Sequence, residues 1–259
     1  MARNPTFTAI TFNMQNGEPW VPGEETPAPE LEGTLQFLRS VDADIICLQE
    51  VEQGHDGGHQ NEPAPNYHFL KDGLRDYHSV FAYPPKNPDE LPFGLGLAIL
   101  SRFPLEGFWK LALPAGDLDF EFGGRRRRPS DRLLIGAGTV VHGRSLAVMN
   151  THLQAYFMIG STSNEHPAQR NAVADSLERA SGATLLSGDF NCTPEEKLPD
   201  QFLEKGFPTV QNNQPTWRRK PFAVDHIFYG TSLKCLSWEV LETPASDHHA
   251  VRAAFEFVS

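Results

Sequence analysis

Apolar runs in this chain repeatedly abut polar side chains suited to acid/base or metal chemistry. TFTAITFN ends at Asn13, ADIICLQE at Glu50, RSLAVMNTH at His152 and ATLLSGD at Asp189, with Asn191 two residues further on. Asp225 adjoins HIFYG, and Asp247 with His248 adjoins AVRAAFEF. One such boundary is ordinary, because Asp and Asn stop strands and cap turns. Its recurrence demands sheets whose strand ends converge on one rim. Carboxylates and amide oxygens without thiolates suit a hard cation such as Mg²⁺ or Mn²⁺.

The runs themselves alternate or are rich in β-branched and aromatic residues, as strands are. YHSVFAY, GLGLAILS, FWKLAL, RLLIGAGTVV and LKCLSWEVL read as further strands, and the Gly/His/Asn-rich stretch after Glu50 as a loop. Leu31, Leu35 and Leu38 fall on one face of a helix. Pro167 opens a second helix with Val173 and Leu177 inward and Ser181-Gly182 as its stop. Thr193 and Glu196 have capping-box spacing, which predicts a third helix starting at Thr193. Strands outnumber helices and the helices lie between them, so the expected architecture is two mixed sheets with helices outside, in one domain over 1–259.

Composition narrows the function. A hydrophobic content of 39% with 18 Phe supports a sizeable core. Three cysteines without metal-ligand spacing suggest neither a disulfide framework nor a zinc knuckle, which fits a reducing compartment. The N-terminus lacks a signal-peptide core and no run approaches the roughly 20 apolar residues of a membrane span, so a cytoplasmic monomer without a membrane anchor is expected. The net charge of −11 argues against broad binding to polyanions but leaves room for a phosphate site whose carboxylates a metal neutralises.

In family order and across nearly the whole chain, TFNMQNG, ICLQEVE, GLAILSRFP, NTHLQA, SGDFN, VDHIFY and SDHHAV resemble the motifs of the endonuclease/exonuclease/phosphatase (DNase I-like) superfamily. The resemblance implies a four-layered α/β/β/α sandwich and divalent-metal-dependent phosphoester hydrolysis by a metal-activated water, with Mg²⁺ as cofactor and Mn²⁺ as substitute. It implies Glu50 as principal metal ligand assisted by Asn13, with Asp247 as a further metal-site carboxylate. Asp189 and Asn191 would position the water and the phosphate, His152 would donate to a phosphoryl oxygen, and His248 would pair with Asp225. Either Asp189 or His248 could take the water's proton. The substrate would be a nucleic acid or a small phosphorylated molecule. Histidine in NTHLQA, and no tyrosine just before GLAILS, depart from the abasic-site endonucleases. THLQA followed by a QR helix is similar to sphingomyelinases, so a phospholipid phosphodiesterase or an inositol-phosphate-type phosphatase is the alternative. A non-catalytic binding module with the same fold is a further one.

Three features lie outside these motifs. The dense basic run within GGRRRRPSDR, Arg125, Arg126, Arg127 and Arg128, could clamp substrate phosphate or form a solvated loop, and Arg170 is a second candidate cation. His55 and His59 have a zinc-compatible helical spacing, but Gly54, Gly57 and Gly58 argue for a loop. Cys192 beside Asn191 is incidental to this chemistry.

Overall fold

The computed structural model describes residues 5–258 apart from 26, 56, 88–93, 123 and 130. In chain order its strands begin with β1 (Thr6–Asn13), β2 (Ile45–Gln49), β3 (Glu52–Gln53), β4 (His78–Ala82), β5 (Gly94–Leu95), β6 (Leu97–Ser101) and β7 (Leu105–Leu113). They continue with β8 (Phe120–Phe122), β9 (Arg125–Arg127), β10 (Arg132–Val141), β11 (Arg144–His152), β12 (Ala183–Asp189), β13 (Asp225–Tyr229), β14 (Leu233–Leu241) and β15 (Ala250–Phe257). The helices are α1 (Leu31–Val41), α2 (Pro65–Gly73), α3 (Ala168–Arg179) and α4 (Leu198–Glu204).

Two sheets dominate, ordered β14-β15-β1-β2-β6-β4 and β13-β12-β11-β10-β7. Each contains one parallel pair, β1 with β2 and β11 with β12, joined by α1 and α3 respectively. Parallel strands linked by a crossover helix must both leave the sheet at the same edge. Asn13 and Glu50 therefore share one rim, as do His152 and Asp189. The antiparallel strands β13 and β15 run back from that rim, so Asp225 and the residues before Ala250 lie there too. Register sets His152 opposite Asp189 and Asp189 opposite Asp225.

Alternation along the strands makes the layers. Phe7, Ala9, Ile45, Leu133, Ile135, Val148 and Leu185 fill the space between the sheets. Ile10, Phe12 and Leu48 pack outward on Leu35 and Leu38 of α1 and Leu70 of α2. On the other side Leu186 and Phe228 pack on Val173 and Leu177 of α3 and Phe202 of α4. The result is the α/β/β/α sandwich. Beneath the rim the filling turns polar: Gln49 Nε2 donates across the sheets to Asn150 Oδ1 at 2.7 Å. Asn150 Nδ2 in turn donates to the carbonyls of Leu48 and Ala98 at 2.8 and 3.0 Å.

Local expectations fail in three places. The stretch before YHSVFAY contains α2; ahead of it His55 and His59 sit in the expected loop, paired across an isolated β-bridge. The third helix starts at Leu198, not Thr193. Glu196 does accept the Thr193 N–H at 3.4 Å, as in a capping box, but its other oxygen takes the Ser163 N–H at 3.1 Å and the chain closes a turn. The arginine run forms β9 of a hairpin with β8; its flanking Gly123 and Ser130 lie outside the described residues, as do residues 91–93 of the LPFGLGLAILS segment. No helix among the described residues is long and apolar enough to cross a membrane.

Gly188 precedes Asp189 where β12 presses on β11, and a Cβ there would collide with the Thr151 carbonyl oxygen. Gly188→Ala should cost about 1–3 kcal/mol as overpacking against backbone, read as a lower denaturant midpoint. An unchanged midpoint would show that the strands can part.

Candidate active site

At the rim the two sheets meet through one amide. Asn13 Nδ2 donates to Glu50 Oε1 at 2.9 Å and to Asp189 Oδ2 at 3.0 Å, linking the end of β2 to the end of β12. Its oxygen accepts the Gln15 N–H at 3.1 Å, so in this structure Asn13 bridges the carboxylates as a donor and does not offer them a ligand oxygen. Glu50 turns out of β2 with φ 50°, and Gly94 leaves room for its side chain. His152 Nε2 lies 3.5 Å from Asp189 Oδ2 and 3.9 Å from Glu50 Oε1. From the opposite side His248 Nε2 stands 3.8 Å from the same Asp189 oxygen and 3.9 Å from Asp247 Oδ1. His248 Nδ1 donates to Asp225 Oδ2 at 2.9 Å. Asn191 is placed behind the site: its N–H donates to Asp189 Oδ1 at 2.9 Å and its amide to the Leu153 carbonyl at 3.0 Å.

A model of the Endonuclease/Exonuclease/phosphatase family matches residues 10–248, a span that contains every one of these side chains. The chain belongs to this family. Its members hydrolyse phosphoesters, typically with divalent metals. Among curated proteins no sequence matches the chain. Similar solved structures include a Bacteroides thetaiotaomicron member of the family, 17% identical with TM-score 0.73 and all of both chains covered. The human Nocturnin catalytic domain with bound sulfate is 20% identical with TM-score 0.67, covering 100% of this chain and 97% of that one. A mannosyl-6-phosphatase from Bacteroides thetaiotaomicron is 16% identical with TM-score 0.66, covering 97% of this chain and 100% of its own.

A divalent cation fits this family member's rim on donor chemistry. One ligand atom each from Glu50, His152 and Asp189 lie within 4.8 Å of one another, and so do those of Asp189, Asp225 and His248. Asp225 Oδ1 is buried without a hydrogen-bond partner, an oxygen that a cation or water would satisfy.

Burial and crowding set the protonation pattern. Burial raises the Glu50 pKa, the Asn13 bond opposes it and the Asp247 charge adds to it. Asp189 is pushed up to about 7, by burial first and by Asp225 second. His152 sits well below its ordinary value because it is buried and faces the positive charges of Arg132 and His248. Burial works against charge on His248 as well, but Asp225, Asp189 and Asp247 outweigh it and raise its pKa to about 10. At neutral pH the rim thus pairs a neutral imidazole with an imidazolium.

Several residues at this site carry no motif signal. Trp217 Nε1 and Arg219 Nε both donate to Asp247 Oδ2, at 3.1 and 2.7 Å, leaving Oδ1 to face His248. Gln15, which lies within TFNMQNG but has no role assigned from the sequence, accepts the Asp247 N–H on Oε1 at 3.0 Å. Glu18, its pKa raised by burial and then by Glu50 and Asp247, is a further carboxyl group of the rim. The basic candidates lie elsewhere. Arg126 pairs with Asp119, and Arg128 with Asp119 at 3.0 Å and Asp117 at 3.2 Å, which takes up two guanidiniums that the sequence offers to phosphate. Arg125 is exposed on the same hairpin, and no described hydrogen bond or ion pair joins Arg125, Arg126 or Arg128 to the rim; Arg127 completes β9 beside them. Arg170 is buried in α3 and donates to Asn164 Oδ1 at 2.7 Å, bracing the wall behind the site. Cys192 is buried, its thiol pushed up by burial, and is no nucleophile.

Two outcomes follow from the charges. The stabilisation that Asp225 gives protonated His248 is complete below the unfolded histidine value of 6.5 and is lost as pH rises through about 10. Asp225→Asn should drop the His248 pKa by several units in an NMR titration and cost roughly 3–5 kcal/mol, the usual penalty for breaking a buried pair; a retained high pKa would mean that other carboxylates suffice. Because the raised Asp189 carboxyl must lose its proton to face a cation, Mg²⁺ or Mn²⁺ affinity measured by calorimetry should rise with pH up to about 7 and then level off. A flat profile from acid to neutral pH would remove Asp189 from the cation site.

Proposed function

We propose that the chain is a divalent-cation-dependent phosphoester hydrolase of the phosphodiesterase type. The observation that carries this reading is the convergence of Glu50, His152, His248 and Asn13 on one Asp189 carboxylate, from strands of two sheets. Glu50 would hold Mg²⁺ or Mn²⁺, with Asp189 facing the same space and Asp247 Oδ1 at its edge. When bound there, the cation supplies positive charge against the non-bridging phosphoryl oxygens and polarises the attacking water.

The chain's own groups complete the chemistry. Asp189, held in place by Asn13 and the Asn191 N–H, orients the water and takes its proton. His248, kept charged by Asp225, donates from Nε2 to a phosphoryl oxygen and offsets the charge that grows there. His152 donates to a second phosphoryl oxygen as a neutral imidazole. Asn13 holds the two carboxylates at a fixed separation, and Asn191 fixes the Asp189 rotamer through its backbone N–H. Each role falls to a group already positioned before substrate arrives, which limits reorganisation during the reaction. No group of the set is missing, which supports turnover over a binding role. Neighbours named for a sugar phosphatase and for a sulfate-bound domain share the fold alone, so they leave the substrate open.

The test is hydrolysis of bis-p-nitrophenyl phosphate, p-nitrophenyl phosphate, oligonucleotides, sphingomyelin and inositol phosphates in Mg²⁺, Mn²⁺ or EDTA. Metal-dependent turnover is expected on at least one diester, with His248→Ala and Glu50→Gln each lowering kcat by about 10²–10³ at an unchanged fold. Wild-type turnover in either purified variant would sink the assignment.

A further inference from the structure

One flank of the rim is built from rings and cations. Phe157, in the short 3₁₀ turn Tyr156–Ile159, has its ring 5.5 Å from that of Trp217 and 5.6 Å from that of Phe222. The Trp217 ring in turn lies 6.2 Å from His248, so this aromatic wall begins at the reacting groups and runs outward. Lys220 Nζ stands 5.5 Å from the centre of the Phe157 ring and 5.7 Å from that of Phe222. Both rings are half-buried and Lys220 is exposed.

The three consecutive cations of this segment are not equivalent. Arg219 is committed to Asp247, and Arg218 lies over Trp20 and donates to the Thr243 carbonyl. Among the described residues Lys220 makes no ion pair with a carboxylate. Cation–π attraction at an exposed site is weak, so an incoming anion can draw the ammonium off the rings at little cost and uncover them. A ligand matching this surface therefore carries a planar ring beside a negative charge.

We propose that this flank is a subsite for the nucleoside of a single-stranded nucleic acid substrate, with a base stacked on Phe157 and Phe222 and a neighbouring phosphate on Lys220. The proposal rests on the hydrolase reading of the rim and names its substrate class. Every base offers a π-face, so stacking of this kind tolerates any sequence. A net charge of −11 opposes gripping a long duplex by its backbone alone, whereas stacking with one local cation suits a short single-stranded segment. A sugar phosphate brings no planar π-face to stack, and lipid chains gain nothing from a lysine seated on the rings.

The test compares hexathymidylate with a hexamer of propyl spacers joined by the same phosphates. Calorimetric titration in EDTA at low salt uses the wild type, Phe157→Ala and Lys220→Glu. The wild type should bind hexathymidylate at least tenfold more tightly than the spacer hexamer, Phe157→Ala should erase that difference, and Lys220→Glu, an exposed change that spares the fold, should weaken both about tenfold. With Mg²⁺, both variants should raise KM for hexathymidylate and leave kcat within twofold. Equal wild-type affinity for the two hexamers, or a Phe157→Ala protein that keeps the preference, overturns the subsite. Sphingomyelin vesicles bound through Phe157 while hexathymidylate is ignored would also overturn it and give the flank to lipid. Base-dependent binding in EDTA with no Mg²⁺-dependent cleavage of hexathymidylate or of any diester in the panel refutes the hydrolase reading and leaves the subsite standing as a binding site; equal kcat/KM on both hexamers overturns the subsite and leaves the hydrolase reading standing.

Discussion

The bond pair from Asn13 Nδ2 to Glu50 and Asp189 fixes the rest of the site, because it ties a carboxylate of one sheet to a carboxylate of the other at the rim. Two sheets packed through side chains alone can slide by fractions of an ångström without losing apolar contact. A shared amide at 2.9 and 3.0 Å cannot accommodate that slide, and neither can the Gln49–Asn150 bond one layer below. Both are buried polar groups, so breaking them leaves donors without partners in a medium that penalises it. The polar layer under the rim thus trades hydrophobic packing for a defined offset between the sheets, and every distance among Glu50, His152, Asp189 and His248 inherits that offset.

The same convergence creates an electrostatic conflict that a hydrolase can use. Carboxylates drawn together in a buried place resist ionisation, which is why Glu50 and Asp189 move up. The nearby imidazoles split: His248 gains a dedicated acceptor in Asp225 and holds its proton, whereas His152 faces Arg132 and His248 and gives its proton up. Two histidines a few ångströms from one oxygen thereby take different charge states. A cation bound among these carboxylates would relieve the crowding that the fold imposes.

The sandwich and the rim were legible because their signals are local. Strands ending at Asn13, Glu50, His152 and Asp189 are visible as apolar runs with a polar stop, and α1 and α3 as leucine and valine faces. The misses share the opposite property. In α2 Leu70 is the one fully buried side chain, so the helix has almost no periodic face, and its start signal is Pro65 at the first turn. Glu196 has the spacing of a capping residue, but Ser163, 33 residues away, competes for its carboxylate. Trp217 and Arg219 reach Asp247 across 30 and 28 residues, a pairing that no local pattern announces. The arginine run, open in the sequence between a phosphate clamp and a solvated loop, meets Asp117 and Asp119 in the segment that leads into β8, a pairing that the run itself does not announce.

The central claim is that carboxylates from two sheets form one cation site. Anomalous diffraction from crystals grown with Mn²⁺ tests it most directly. The expected result is a manganese peak bonded to Glu50 and lying beside Asp189 at the rim. A peak held by other carboxylates, such as Asp117 and Asp119, with none at Glu50, would contradict it.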